Sequence, residues 1–262
     1  MAGAAKGANR MPKIFIDPGH GGSDPGAVGN GMRESDIVLD VSKRIAVLLL
    51  DSGIEINLSR TTDTSLSLSQ RWQPVNRAGA DLFISVHANG FHDPAANGCE
   101  TFIAVTKPGD RDFAQTSQSA LVSATGLRDR GVRPDNQSQH SGLTVLRRTE
   151  MPAILVELAF ITARPDSRDI QVLKYKRQLV AKTIAKAIIG YLNVKEGLEV
   201  RFNRIDEMPG WAQETMRRLI VDKGLIRGNG QHDENGVPID LNLSEDMIRM
   251  FIINDRAGLY VM

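Results

Sequence analysis

Three short runs in this chain are apolar almost throughout and stop on, or just before, a side chain capable of chemistry. "KIFID" (13–17) leads through a Pro-Gly turn to His20, "DLFISVH" (81–87) ends on His87, and "AILVE" (153–157) ends on Glu157. Short apolar runs bounded by turn residues read as buried strands, which suits a parallel sheet covered by helices on both faces.

The stretches between them supply the helices. Val38, Val41, Ile45 and Leu48 recur three and four residues apart within 36–51, and Gly53 follows as a C-cap. "EINLSR" reads as a second strand, 67–78 as a helix, "CETFIAV" as a strand, 111–126 as a helix and "LTVL" (143–146) as a short strand. Residues 167–192 read as one long helix, with Leu173, Leu179, Ile184, Ile188 and Ile189 on its apolar side. The alternation predicts an α/β fold over 13–192, with a mostly parallel sheet sandwiched by helices. In such folds ligands sit beyond the carboxyl ends of the strands.

Outside that span the character changes. Residues 1–12 are small and polar and are predicted to be a disordered leader, with Met11 as an alternative start. They lack the apolar stretch of a secretory signal, which predicts synthesis in the cytoplasm. Residues 193–203 read as a linker and 204–262 as a small helical module, thin for a core of its own. No apolar run approaches the ~20 residues of a membrane span. A net charge of +1 demands neither nucleic acid nor an acidic membrane surface. Cys99 is the sole cysteine, so no internal disulfide forms, and it reads as a small hydrophobe.

His20, Glu34, His87 and Glu157 are the chemically suggestive residues. Glu34 is expected at the start of a helix, where the dipole favours a carboxylate. Two imidazoles and a carboxylate are a common catalytic zinc set, and a second carboxylate can take a proton from water. Gly21 and Gly22 are expected to keep the wall beside His20 low for a bulky ligand. From the residues alone, a metal site and a set of satisfied turn and core residues are equally open. Glu157 weighs towards the site, because an unpaired buried carboxylate is costly.

Five segments in order, "IDPGHGGSDPGAVG", "GMRESDIVLDVSKRIAVLL", "SRTTD", "RAGADLFISVHAN" and "PAILVELAFIT", closely resemble the zinc-dependent N-acetylmuramoyl-L-alanine amidases of the third amidase family. The resemblance covers residues 13–192. It implies that His20, Glu34 and His87 bind Zn²⁺ and that Glu157 is the catalytic glutamate. It further implies that the partner is bacterial peptidoglycan, cleaved between N-acetylmuramic acid and L-alanine, with the enzyme acting on the wall after release. Asn89 and Arg71 are carried as substrate contacts, whereas Arg60 and Asp63 read as scaffold. His92, Asp93 and His140 read as loop residues. Ala163 and Arg164 depart from the family, whose members often carry an Asn and an acidic residue there.

Residues 204–262 resemble helical wall-associated modules of lysins; a cell-wall-binding module and a dimerisation element giving a homodimer are both open. Two other functions compete with the amidase: a zinc peptidase acting within the stem peptide, and a non-catalytic wall-binding protein.

Overall fold

The structure is a computed structural model and describes residues 11–140, 142–194, 201–202, 205–208, 210–222, 243–244 and 248. The chain divides into two compact units, Met1–Glu196 and Gly197–Met262. Among the described residues no helix is long and apolar enough to cross a membrane.

The first unit is built on a six-stranded sheet. Strand β1 is Lys13–Pro18, followed by the two-residue strands β2 (Val28–Gly29) and β3 (Met32–Arg33), helix α1 (Glu34–Leu49) and strand β4 (Glu55–Leu58). Then come α2 (Leu68–Ala78), β5 (Leu82–Asn89), β6 (Cys99–Ile103), α3 (Arg111–Thr125), β7 (Asp129–Pro134), α4 (Thr144–Arg148) and β8 (Ala153–Phe160). Helices α5 (Arg168–Tyr175) and α6 (Arg177–Leu192) complete it. The strand order is β4-β1-β5-β8-β6-β7. Strands β4, β1, β5 and β8 are mutually parallel; β6 runs antiparallel to β8 and carries β7 parallel to itself. The sheet is thus mostly parallel, as the sequence predicts.

Alternation along the strands divides the core in two. Ile14, Ile16, Ile84, Val86, Ile154 and Val156 pack with α1, α3 and α6. Phe15, Phe83, Phe102, Ala153 and Leu155 point to the other face and meet Val75 of α2 and Val145 and Leu146 of α4. The second layer is short. Beyond Phe102 and Leu155 the same parity continues into Asp17, Ser85, His87, Glu100 and Glu157, so the polar residues of the site extend one face of the sheet.

Local signals explain the helix limits. Ser67 and Gln70 form a reciprocal capping box at α2, and Gly79 closes that helix at φ +60°. The stretch read as one helix over 167–192 is two. It breaks at Lys176, whose φ is −121°, and Leu173's carbonyl is met by the Arg177 side chain at 2.6 Å. "LTVL" is not a strand: Asp135 accepts from the Leu143 amide and the Arg147 side chain, which folds the segment into α4. The edge strand beyond β6 is β7, "DRGVRP", whose polar, half-exposed pattern gives no alternation to read.

In the second unit, β9 (Arg201–Phe202) pairs antiparallel with β10 (Leu243–Ser244), and α7 (Gly210–Arg217) runs into a π-helical turn over Arg218–Asp222. Ala212, Met216, Leu219 and Ile220 are buried. Residues 1–10 of the expected leader, most of the expected linker and most of the module expected over 204–262 lie outside the described residues.

Candidate active site

The site grows out of the turn after β1. His20 has φ +57°, an uncommon conformation for a residue other than glycine. Two buried arginines hold the chain there. Arg60 donates to the carbonyls of Pro18, Gly19 and Ser35, and Arg71 donates to those of Pro18 and His20. Arg71 also pairs at 2.8 Å with buried Asp17, which accepts from Ser59 and Ser85 as well. Arg71 does not line the site cavity, and its guanidinium is committed to the turn that carries His20.

Glu34 is the first residue of α1 and is only 4% exposed, closed in by the groups it binds. Oε1 lies 3.1 Å from His20 Nε2 and 2.9 Å from His87 Nδ1, and accepts from the Ala88 amide. Oε2 accepts from the Ala27 amide. Burial opposes its charge, yet the hydrogen bonds and charges of the two imidazoles hold its carboxyl far below the usual carboxylate range. His87, near the end of β5, meets the His20 ring edge-on at 4.9 Å between centroids. One ligand atom from each of His20, Glu34 and His87 lies within 4.8 Å of the others.

That donor set can hold a divalent cation, and the surroundings support the fit. His20 Nδ1 lies 2.8 Å from Asp24 Oδ2, so Nε2 is the nitrogen turned to the centre. Burial lowers the basicity of His20, but Glu34 and Asp24 raise it by more. Glycines make room for the ligands. A Cβ on Gly26 would fall 2.5 Å from Glu34 Oε2 and 2.7 Å from His20 Cδ2, and one on Gly19 would overlap the His87 ring. Gly21 and Gly22 do something other than lower a wall: their missing Cβ atoms admit Thr64, Arg60 and Ser65, so they pack a loop against the turn.

Glu157 stands beside this set, in register with His87 across β5 and β8. Its Oε2 is sealed from solvent and has no hydrogen-bond partner among the described residues. Burial, then the carboxylates of Glu34 and Glu100, push its pKa well above the usual range. Glu100 occupies the next strand on the same rung, opposite Glu157. Because β6 is antiparallel, its N-terminal end reaches the edge where the parallel strands finish. Glu100 is nearly buried and binds Arg130 at 3.1 Å, Arg133 at 2.8 Å and Asn89 at 2.7 Å. Arg130 also lies over the Phe160 ring. The sequence reading missed Asp24, Glu100, Arg130 and Arg133. Glu100 carried a signal, since "CETFI" sets a carboxylate in an apolar strand as "AILVE" does.

These residues line a cavity of about 800 Å³. Asn89 lines it, although its amide is shared between Glu100 and Gln139. His92, Gln139 and His140 also reach its wall, whereas Asp93 turns to the Ala95 amide. Cys99 is buried beneath, its thiol pushed up to about 12 by burial and by Asp129.

Known proteins resemble this chain in sequence and in fold. The family model described as N-acetylmuramoyl-L-alanine amidase matches residues 14–190. The amidase LytC of Bacillus subtilis is 38% identical over 180 residues, which are 68% of this chain and 35% of that protein. The sporulation-specific N-acetylmuramoyl-L-alanine amidase of the same organism is 36% identical over 197 residues, covering 74% of this chain and 69% of its own length. The catalytic domain of CwlV, an N-acetylmuramoyl-L-alanine amidase from Bacillus (Paenibacillus) polymyxa, superposes with a TM-score of 0.64 at 33% identity, over 71% of this chain and all of that one. By sequence and by fold, this chain belongs to the N-acetylmuramoyl-L-alanine amidase family.

Proposed function

We propose that the chain hydrolyses the amide between N-acetylmuramic acid and the L-alanine of the stem peptide in bacterial peptidoglycan, with Zn²⁺ held by His20, Glu34 and His87. The observation that carries the reading is the convergence of those three donors beside an unpartnered, buried Glu157 oxygen. Zinc at this set would lower the pKa of a water towards neutrality and polarise the carbonyl under attack.

The protein's own groups do the rest. Asp24 keeps the His20 Nε2 lone pair directed at the centre. Glu157 takes the proton of the attacking water and returns it to the leaving α-amine of L-alanine, which departs poorly unless protonated. Burial and the carboxylates of Glu34 and Glu100 raise the proton affinity of Glu157 above that of an ordinary carboxylate, which favours its taking the proton. Glu100 and its two arginines fix the rung on which Glu157 stands.

A peptidase acting within the stem peptide would use the same groups. The new amine decides between them. Digestion of purified peptidoglycan, with end-group labelling and mass spectrometry, is expected to expose the N-terminus of L-alanine. Any other new amine as the main product overturns the assignment.

A further inference from the structure

Strand β7 carries an extra residue where it passes β6. Cys99 pairs with Asp129 and Thr101 with Val132, so a two-residue step on β6 is matched by a three-residue step on β7. Gly131, at φ +81°, lies in that bulge. In a regular strand Arg130 and Arg133, three apart, would point to opposite faces. The bulge lets both reach the face that carries the site, and there they converge on a single atom. Glu100 Oε2 accepts from Arg130 Nε at 3.1 Å and from Arg133 Nη1 at 2.8 Å. Both arginines line the groove together with His87 and Glu157.

One guanidinium is enough to neutralise Glu100. Two are present, so the cluster keeps a positive charge. Its donors are not used up either: among the described residues both terminal nitrogens of Arg130 lack a partner, as does Nη2 of Arg133. The guanidiniums are nonetheless held in place. Arg130 Cζ lies 4.9 Å from the centre of the Phe160 ring, and Arg133 Nε donates to Gln137 at 3.4 Å. The two side chains are only 26% and 32% exposed. Partly shielded, fixed and short of acceptors, they suit a second carboxylate, which takes paired N–H bonds from such forks.

Their place on the sheet selects that carboxylate. Across the face the order is His87 on β5, Glu157 on β8, Glu100 on β6 and the arginines on β7. Under the function proposed above, on which the inference rests, the carbonyl under attack lies at the His20–Glu34–His87 end and the departing amine at Glu157. The leaving peptide therefore runs from Glu157 towards β6 and β7. Neighbouring strands are ~4.8 Å apart, so the nitrogens on Glu100 stand about one strand beyond Glu157. An extended peptide advances ~3.3–3.6 Å per residue, which brings the carboxylate of the residue after L-alanine to them. We infer that Arg130 and Arg133 form a subsite for a free carboxylate on the second residue of the leaving peptide.

Two synthetic substrates that differ in one group test it on the full chain: N-acetylmuramoyl-L-alanyl-glycine, with a free carboxylate, and the corresponding glycinamide. The parent is expected to favour the acid by at least about tenfold in kcat/KM, the effect of a charge-assisted contact. The single variants R130Q and R133Q, each of which leaves Glu100 one arginine, are expected to lose at least about threefold of that preference. R130Q/R133Q is expected to lose it altogether, whatever the absolute rates. A purely structural role in holding Glu100 would slow both substrates alike and preserve the ratio. Equal use of acid and amide by the parent, or a parental ratio in the variants, overturns the inference. A parent that cleaves neither compound contradicts the proposed function instead. Calorimetric titration of the two intact compounds then decides the subsite, by the same preference in Kd and its loss in the single variants.

Discussion

His87 and Glu157 face each other in register across the parallel pair β5–β8, and on the next strand Glu100 faces Glu157. One rung of the sheet therefore carries a metal-ligand candidate, the proposed proton carrier and the carboxylate behind it. The strands fix the spacing of the three, and no mobile loop is needed to assemble them.

The ring of His20 should bind a cation through one nitrogen because Asp24 holds the other. Replacement Asp24→Asn is expected to lower zinc affinity about ten- to a hundredfold, the usual effect of losing the group that orients a ligand. Competition with a chelator of known affinity measures it. His20→Ala should lose zinc and hydrolysis together.

Gly26 sits at φ +64° with Glu34 and His20 where a side chain would be. Gly26→Ala is expected to displace both ligands and reduce bound zinc well below one ion per chain. The far-UV circular dichroism should remain that of the parent, because the position belongs to no helix or core strand. Stoichiometric zinc in this variant would show that crowding at Gly26 does not limit the site.

Asp135 links the segment before α4 to β6: it accepts from the amides of Val105 and Leu143 and from Arg147. Burial works against its charge, but Arg147 and the two amides lower its pKa below the ordinary 3.8. A depressed carboxyl stabilises the fold above its unfolded pKa and loses that contribution as pH falls through the folded one. Asp135→Asn should therefore cost about 1–3 kcal/mol near neutrality and progressively less below pH 3.8. Urea unfolding of parent and variant across that range measures the difference; a pH-independent gap would remove the charge from the explanation.

Cys99 should resist thiol reagents at pH 8 in the native chain and react on unfolding, because it is fully buried and its pKa is raised from 9.0 to about 12. A thiol pKa raised by folding stabilises the native state below the unfolded value. That contribution fades as pH rises from about 9 towards 12. Rapid labelling of native protein would contradict the burial.

Much of this was legible because strands and site share one parity. The runs ending at His87 and Glu157 announced buried strands by composition and candidate site residues by position, and Glu34 was announced by its helix start. The segment around 129–148 was not legible. β7 is a polar edge strand with a glycine and a proline, and α4 exists because distant Asp135 gathers its turn. Glu100 and Arg130 were hidden for a topological reason: the rule that sites lie at carboxyl ends of strands fails for strands that run the other way. The donors of Arg71 close the DPGH turn, a role that local sequence does not reveal because its partners Asp17, Pro18 and His20 lie more than fifty residues away.

The most direct test of the account compares parent and Glu157→Gln protein, each loaded with zinc and assayed on purified peptidoglycan by release of stem peptide with a new L-alanine amine. One zinc ion per chain is expected in both proteins, with hydrolysis by the parent that chelation stops and zinc restores, and a loss of about 10²-fold or more in the variant. Parental turnover by Glu157→Gln, or turnover indifferent to chelation, would contradict it.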